Sequence, residues 1–160
     1  MSSLARWANG DVDRGCDLTK EPTVMAKEKT KETKEVAPPP AKRRVLIVDD
    51  DAEIVEAVQF ALQAKGFDVL VARDGTEGLI AAERDNPDLV ILDMMMPKRS
   101  GFLVLEKLRV TRPVPVRVIM ITANEGKLHK DYAVELGVDD YIRKPFPMDK
   151  LVESVQRLLS

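Results

Sequence analysis

The sequence predicts an α/β fold: a five-stranded parallel sheet, doubly wound, with helices on both faces. Three observations carry that expectation. Strand-like and helix-like patterns alternate in five units from residue 44 to residue 160. The runs at 45–48, 89–92 and 116–121 are rich in Val, Ile and Leu and largely lack polar interruptions, as suits strands covered on both faces. Polar residues follow them: Asp49 and Asp50 after the first, Asp93 after the third, Thr122 after the fourth. Right-handed crossovers bring all these strand ends to one edge of the sheet, where ligands bind in such folds.

The elements follow in order. Residues 45–48 (VLIV) form the first strand and run into Asp49, Asp50 and Asp51. Three adjacent acids repel one another, so either a cation answers them or they end the strand and cap the helix beginning near Ala52. That helix, 52–65, places Ile54, Val55, Val58 and Leu62 on one face, with Gly66 as its stop. A second strand is expected at 67–71, and a second helix at 75–84 that ends near Asn86 and Pro87. The third strand is 89–92. Ser100 is the N-cap candidate for a helix carrying Phe102, Leu103, Leu105 and Leu108. The fourth strand is 116–121, followed by a helix at 127–136 closed by Gly137. A short fifth strand at 140–143 and a helix at 148–159 complete the pattern. Residues 111–115 (TRPVP) put two prolines before the fourth strand and suggest no function.

Composition narrows the classes. A hydrophobic fraction of 44% supports a full core, and 4% aromatic residues make that core aliphatic. The formal net charge of −2 carries no overall bias toward nucleic acid or membrane. One cysteine, Cys16, rules out an intramolecular disulfide and fits a reducing, cytoplasmic setting. No apolar run approaches a membrane span, and no secretory h-region opens the chain. Charge is uneven: residues 1–44 hold ten Lys/Arg against seven Asp/Glu, and 45–160 hold fifteen against twenty. Residues 27–35 (KEKTKETKE) are polar and of mixed sign, and Pro38–Pro40 form a stiff spacer. Such a stretch cannot bury enough surface to offset its ordering entropy, so residues 1–43 read as a disordered, charged and Pro-rich extension. The domain is then 44–160.

At the shared edge, Asp49, Asp50, Asp93, Thr122 and Lys144 would meet in one pocket. Singly, each has a plain explanation as a cap, a strand residue or a solvated turn. Together, three carboxylates facing a lysine suit a hard divalent cation with oxygen ligands, most simply Mg²⁺. A carboxylate neutralised in this way could attack phosphorus and form an aspartyl phosphate.

On these residues the chain resembles the receiver domain of two-component response regulators. The resemblance rests on Asp49-Asp50, on the D-x-x-M-P motif at 93–97, on Gly101, on Thr122-Ala123 and on the K-P-F motif at 144–146. It covers 45–160 and implies the strand order 2-1-3-4-5. It also implies that Asp93 is the phosphoacceptor, in a relay from histidine to aspartate. Asp50, Asp93 and the Met95 carbonyl would ligate Mg²⁺, with Asp49 acting through water. Lys144 would contact the phosphoryl group, Thr122 would hydrogen-bond it, and Tyr141 would be the aromatic switch. Met95 and Asn124 stand where relatives tune hydrolysis, and an apolar Met95 suggests slow self-hydrolysis.

The implied partners are a sensor histidine kinase or a histidine phosphotransfer protein, plus an unknown downstream protein. No DNA-binding module or membrane span is expected, so output is expected to be phosphorylation-dependent binding. The segment 127–159 would make the protein a monomer or a weak dimer. The protein would be no enzyme toward outside substrates, catalysing only its own phosphoryl transfer and dephosphorylation. Two other readings compete. One is a receiver-fold interaction module that is never phosphorylated. The other is an aspartyl-phosphate phosphohydrolase, which would want a second Asp where Met95 stands and a cap insertion that no connection is long enough to hold. If residues 1–41 are only a spacer, deleting them leaves the melting temperature and Mg²⁺ binding nearly unchanged; a large loss of thermal stability would show that they pack on the domain.

Overall fold

The computed structural model describes residues 41–112, 114–123 and 126–160. The expected N-terminal extension therefore lies outside the described residues, up to residue 40, as does Asn124. The elements are β1 (Arg44–Val48), α1 (Ala52–Ala64), β2 (Asp68–Ala72), α2 (Gly75–Asp85) and β3 (Leu89–Asp93), then α3 (Gly101–Thr111), β4 (Arg117–Thr122), α4 (Lys127–Glu135), β5 (Asp140–Arg143) and α5 (Met148–Leu159). All strand pairs are parallel, in the order β2-β1-β3-β4-β5. The expected order is the observed one.

The unalternating runs are explained by what lies on each side of the sheet. Val45 and Ile47 pack with Val55, Val58 and Leu62 of α1 and with Leu151, Val152 and Val155 of α5. Leu46 and Val48 point the other way, against Ala81 and Ala82 of α2, Val104, Leu105 and Leu108 of α3, and Ala133 of α4. Both faces of β1 and β3 are thus dry, and the five residues of β3 are all buried. Burying that much aliphatic surface, at about 25 cal/mol per Å², is what holds the strand ends in fixed register.

The boundaries differ from expectation by one residue in several places, each for a local reason. Phe67 belongs to the close of α1 rather than to β2. Gly66, at φ +88°, turns the chain, and the Phe67 N–H reaches back to the Leu62 carbonyl at 3.2 Å. Helix α4 ends by the same device, with Gly137 at φ +79° and the Val138 N–H on the Ala133 carbonyl at 3.1 Å. At the start of β4, the Val116 carbonyl accepts from the Arg109 guanidinium at 2.8 Å, and pairing with β3 begins at Arg117. Ser100 does occupy the N-cap position of α3, but its side chain makes no capping hydrogen bond. A cap that forms unforeseen is Asp74 on α2, whose carboxylate accepts from the N–H groups of Thr76 and Glu77. No helix of the described residues is long and apolar enough to cross a membrane.

Candidate functional site

The acidic triplet after β1 divides between its two readings. Asp51 is a cap: its side chain accepts from the N–H groups of Glu53 at 3.0 Å and Ile54 at 3.4 Å. Asp49 turns inward and is 2% exposed, whereas Asp50 is exposed. From the neighbouring strand, Asp93 joins them as the last residue of β3, itself buried. Carboxylate oxygens of Asp49, Asp50 and Asp93 all lie within 4.8 Å of one another.

Lys144 closes the pocket from β5. Its backbone N–H donates to the Thr122 carbonyl at 2.7 Å, carrying the β4–β5 pairing one residue past the strand and aiming the side chain at the carboxylates. The ammonium lies 3.0 Å from Asp49 Oδ2 and 3.5 Å from Asp93 Oδ2. The other oxygens are held by main chain: the Asp51 N–H donates to Asp49 Oδ1 at 2.9 Å and the Met95 N–H to Asp93 Oδ1 at 3.1 Å. Both oxygens of Asp49 therefore have protein partners.

One ammonium does not balance three carboxylates. Burial and the nearby Asp49 charge push the Asp93 carboxyl up to about 6, against the smaller opposing pull of the Met95 N–H and Lys144. Burial of Lys144 favours its neutral form, but the hydrogen bond to Asp49 and the carboxylate charges outweigh this and hold its ammonium above the ordinary range. The donor set is all oxygen, anionic and under-neutralised, and it fits a divalent cation such as Mg²⁺. A hollow of about 750 Å³ lies at the opposite edge of the sheet, but its arginines are committed: Arg43 to Asp88, and Arg109 and Arg117 to Asp139.

Residues 45–156 match the response regulator receiver domain family. The chain belongs to that family. Its receiver part is 38% identical over 117 residues to the alkaline phosphatase synthesis transcriptional regulatory protein PhoP of Bacillus subtilis, covering 73% of this chain and 48% of that protein. It is 41% identical over 118 residues to the DNA-binding response regulator MtrA of Mycobacterium leprae, covering 74% and 52%. The chain thus spans about half the length of the curated relatives it matches. Among solved structures, the CheY-like receiver domain protein of Methanospirillum hungatei superimposes with a TM-score of 0.71 at 31% identity, over 74% of this chain and 94% of that one.

Within the receiver domain, Thr122 and Tyr141 lie on one face of the sheet. Thr122 is buried as the last residue of β4, not beyond it, and Tyr141 stands opposite Met120, two residues back along β4. The Tyr141 ring packs against the core on the α2–α4 side, and its hydroxyl is buried beside the Thr122 side chain. The ring as a whole is half-buried, packed against the same cluster as Leu136 and Val138, and only its hydroxyl is fully shielded. Burial pushes the Tyr141 phenol up, with Thr122 pulling the other way. Met95 is 61% exposed beside the pocket, while Met94 is buried beneath it. Two contacts near the site carry no motif in the sequence. Lys98 reaches Asp74 at 3.0 Å, tying the β3–α3 loop to the cap of α2. Phe102 of α3 packs between His129 and Tyr132 of α4, whose hydroxyl donates to Glu106 at 2.6 Å.

The Asp93 shift has a sign that can be checked. The folded carboxyl, at about 6, binds its proton more tightly than an ordinary carboxyl at 3.8. The native state therefore holds more protons across that window, and stability falls as pH rises through it. Without added metal, Asp93→Asn is expected to be more stable than wild type at pH 7.5, by on the order of 1–2 kcal/mol after allowance for solvent screening. The gain shrinks toward nothing below about pH 4. Urea unfolding at both pH values measures it, and a less stable Asn variant at pH 7.5 would contradict the charge assignment.

Proposed function

We propose that this receiver domain accepts a phosphoryl group on Asp93 from a phosphohistidine and signals by phosphorylation-dependent protein binding. The single observation that carries the proposal is the meeting of Asp49, Asp50, Asp93 and Lys144 from three strand ends. An Asp93 oxygen attacks phosphorus as the N–P bond of the donor breaks, and the imidazole leaves with the electron pair. The Lys144 ammonium, already 3.5 Å from Asp93 Oδ2, meets the charge that the phosphoryl oxygens bring, roughly −1.5 to −2. Asp50, Asp93 and the Met95 carbonyl would hold Mg²⁺, which supplies further charge stabilisation on those oxygens. Asp49 acts through water in this arrangement, consistent with both its oxygens being engaged by the Asp51 N–H and Lys144. The protein acts on no outside substrate: the reactions are its own phosphorylation and dephosphorylation. The exposed Met95 side chain offers no polar group to orient an attacking water, which favours a long-lived phosphate.

The donor is a histidine kinase or histidine phosphotransfer protein in the cytoplasm. A hollow of about 450 Å³ beside Lys144, formed by Ile54 and Ala57 of α1 with Pro145, Phe146 and Met148, offers an apolar seat next to the reacting carboxylate. Output runs through Thr122 and Tyr141. Thr122 hydrogen-bonds one phosphoryl oxygen, and the movement alters the packing around the Tyr141 ring on the same face of the sheet. Two discrete packings of that ring make the α4–β5–α5 surface a switch. Several charges there are paired within the chain, Arg157 with Asp140 at 2.7 Å among them, which favours a monomer over a dimer.

Labelling by a small acyl-phosphate donor tests the acceptor. Asp93→Asn and chelation of Mg²⁺ are each expected to abolish acid-labile incorporation; undiminished labelling of the Asn variant places the acceptor elsewhere. Thr122→Ala tests the output. It is expected to leave phosphorylation intact while removing most of the backbone NMR shifts that beryllofluoride induces over residues 127–159. Equal shifts in the variant and the wild type would take the hydroxyl out of the mechanism.

A further inference from the structure

We infer that Gly101 is a positioning residue of the phosphoacceptor site, because only a residue without a side chain lets the first turn of α3 close directly on the backbone of Asp93 and Met94. The inference rests on the reading of Asp93 as the acceptor. A Cβ at Gly101 would lie 2.3 Å from the Asp93 carbonyl oxygen and 2.9 Å from Met94 Cα. These are main-chain atoms of the sheet edge and cannot swing aside as a side chain can. The glycines of α2 differ in this respect: the nearest atoms to a Cβ at Gly75 and Gly78 belong to side chains, those of Val104 and Val48. Gly66 and Gly137 differ again, since their positive φ and not their surroundings calls for glycine.

The close approach has a function. The Gly101 N–H donates to the Met94 carbonyl at 3.0 Å and closes the loop 94–101 into a ring. The Met94 N–H donates to the Ile121 carbonyl at 2.8 Å and fastens the root of that ring to β4. Inside it, the Met95 N–H holds Asp93 Oδ1 at 3.1 Å, which leaves Oδ2 turned to Lys144. Gly101 therefore sets the direction of the acceptor carboxylate through two peptide units, without touching it. An added methyl group must lift α3 off the loop or rotate the Asp93–Met94 peptide. Either movement misplaces the Met95 N–H and the Met95 carbonyl, on opposite sides of the same residue.

The test compares Gly101→Ala with Leu62→Ala, a core truncation in α1 on the other side of the sheet that lowers stability without entering the loop. Mg²⁺ affinity by calorimetry and phosphorylation rate with an acyl-phosphate donor are measured at a fixed interval below each protein's melting temperature. Gly101→Ala is expected to lose about 10–100-fold in Mg²⁺ affinity, the range for groups that orient metal ligands, and to be phosphorylated correspondingly slowly. Leu62→Ala is expected to keep both within about twofold of wild type. Wild-type Mg²⁺ affinity in Gly101→Ala overturns the inference while leaving the acceptor assignment standing. A wild type that neither binds Mg²⁺ nor is labelled overturns both. Should Gly101→Ala not fold, amide exchange in the wild-type protein decides. Mg²⁺ should slow exchange at Gly101 and Met95 together, and slowing at Met95 alone overturns the inference.

Discussion

The repulsion between two buried carboxylates, Asp49 and Asp93, is the constraint on which the rest of this structure depends. Neither side chain can retreat into water, because each stands at the end of a strand covered on both faces. The fold holds them together and answers them with one ammonium, from Lys144, and two main-chain N–H groups. The raised Asp93 carboxyl is the measure of what stays unanswered. Such a site carries an imbalance of charge that a divalent cation would relieve.

The sheet converts that local imbalance into a shape. Parallel pairing in the order β2-β1-β3-β4-β5 puts β1 and β3 side by side at the centre, and their two acids meet for that reason alone. Beyond β3, β4 brings Thr122 and β5 brings Lys144 to the same edge. The helices supply the rigidity: α1 and α5 on one face and α2, α3 and α4 on the other leave the strand ends little freedom. Beyond the strand ends the groups are freer, and the Tyr141 ring, within the edge strand β5, is only half-buried.

Much of this was legible in the sequence, because its signals are strong and local. Uninterrupted aliphatic runs mark the doubly covered strands, and the acids that follow mark the edge. The division of labour inside Asp49-Asp50-Asp51 was not legible, since which of three identical side chains caps a helix depends on the turn geometry that only the folded chain fixes. Ser100 misled for a related reason: an N-cap position does not oblige the hydroxyl to bond. Phe67 looked like a strand residue because β-propensity cannot register the reach of its N–H back to Leu62. The Phe102, His129 and Tyr132 cluster joins helices far apart in sequence, and no pattern along the chain announces it.

The chain has two tyrosines and one tryptophan, Trp7, which stands far from the domain in sequence. One tyrosine is on α4 and the other on the strand that follows it: Tyr132 leans on α3 through Glu106, and Tyr141 of β5 has its hydroxyl buried. The ultraviolet signature of the phenols is thus concentrated around the helix through which output would run. In a chain shortened to exclude Trp7, that absorbance and emission come from these two rings alone, so the domain carries its own optical gauge of the α4 surface, and no dye need be attached to read it.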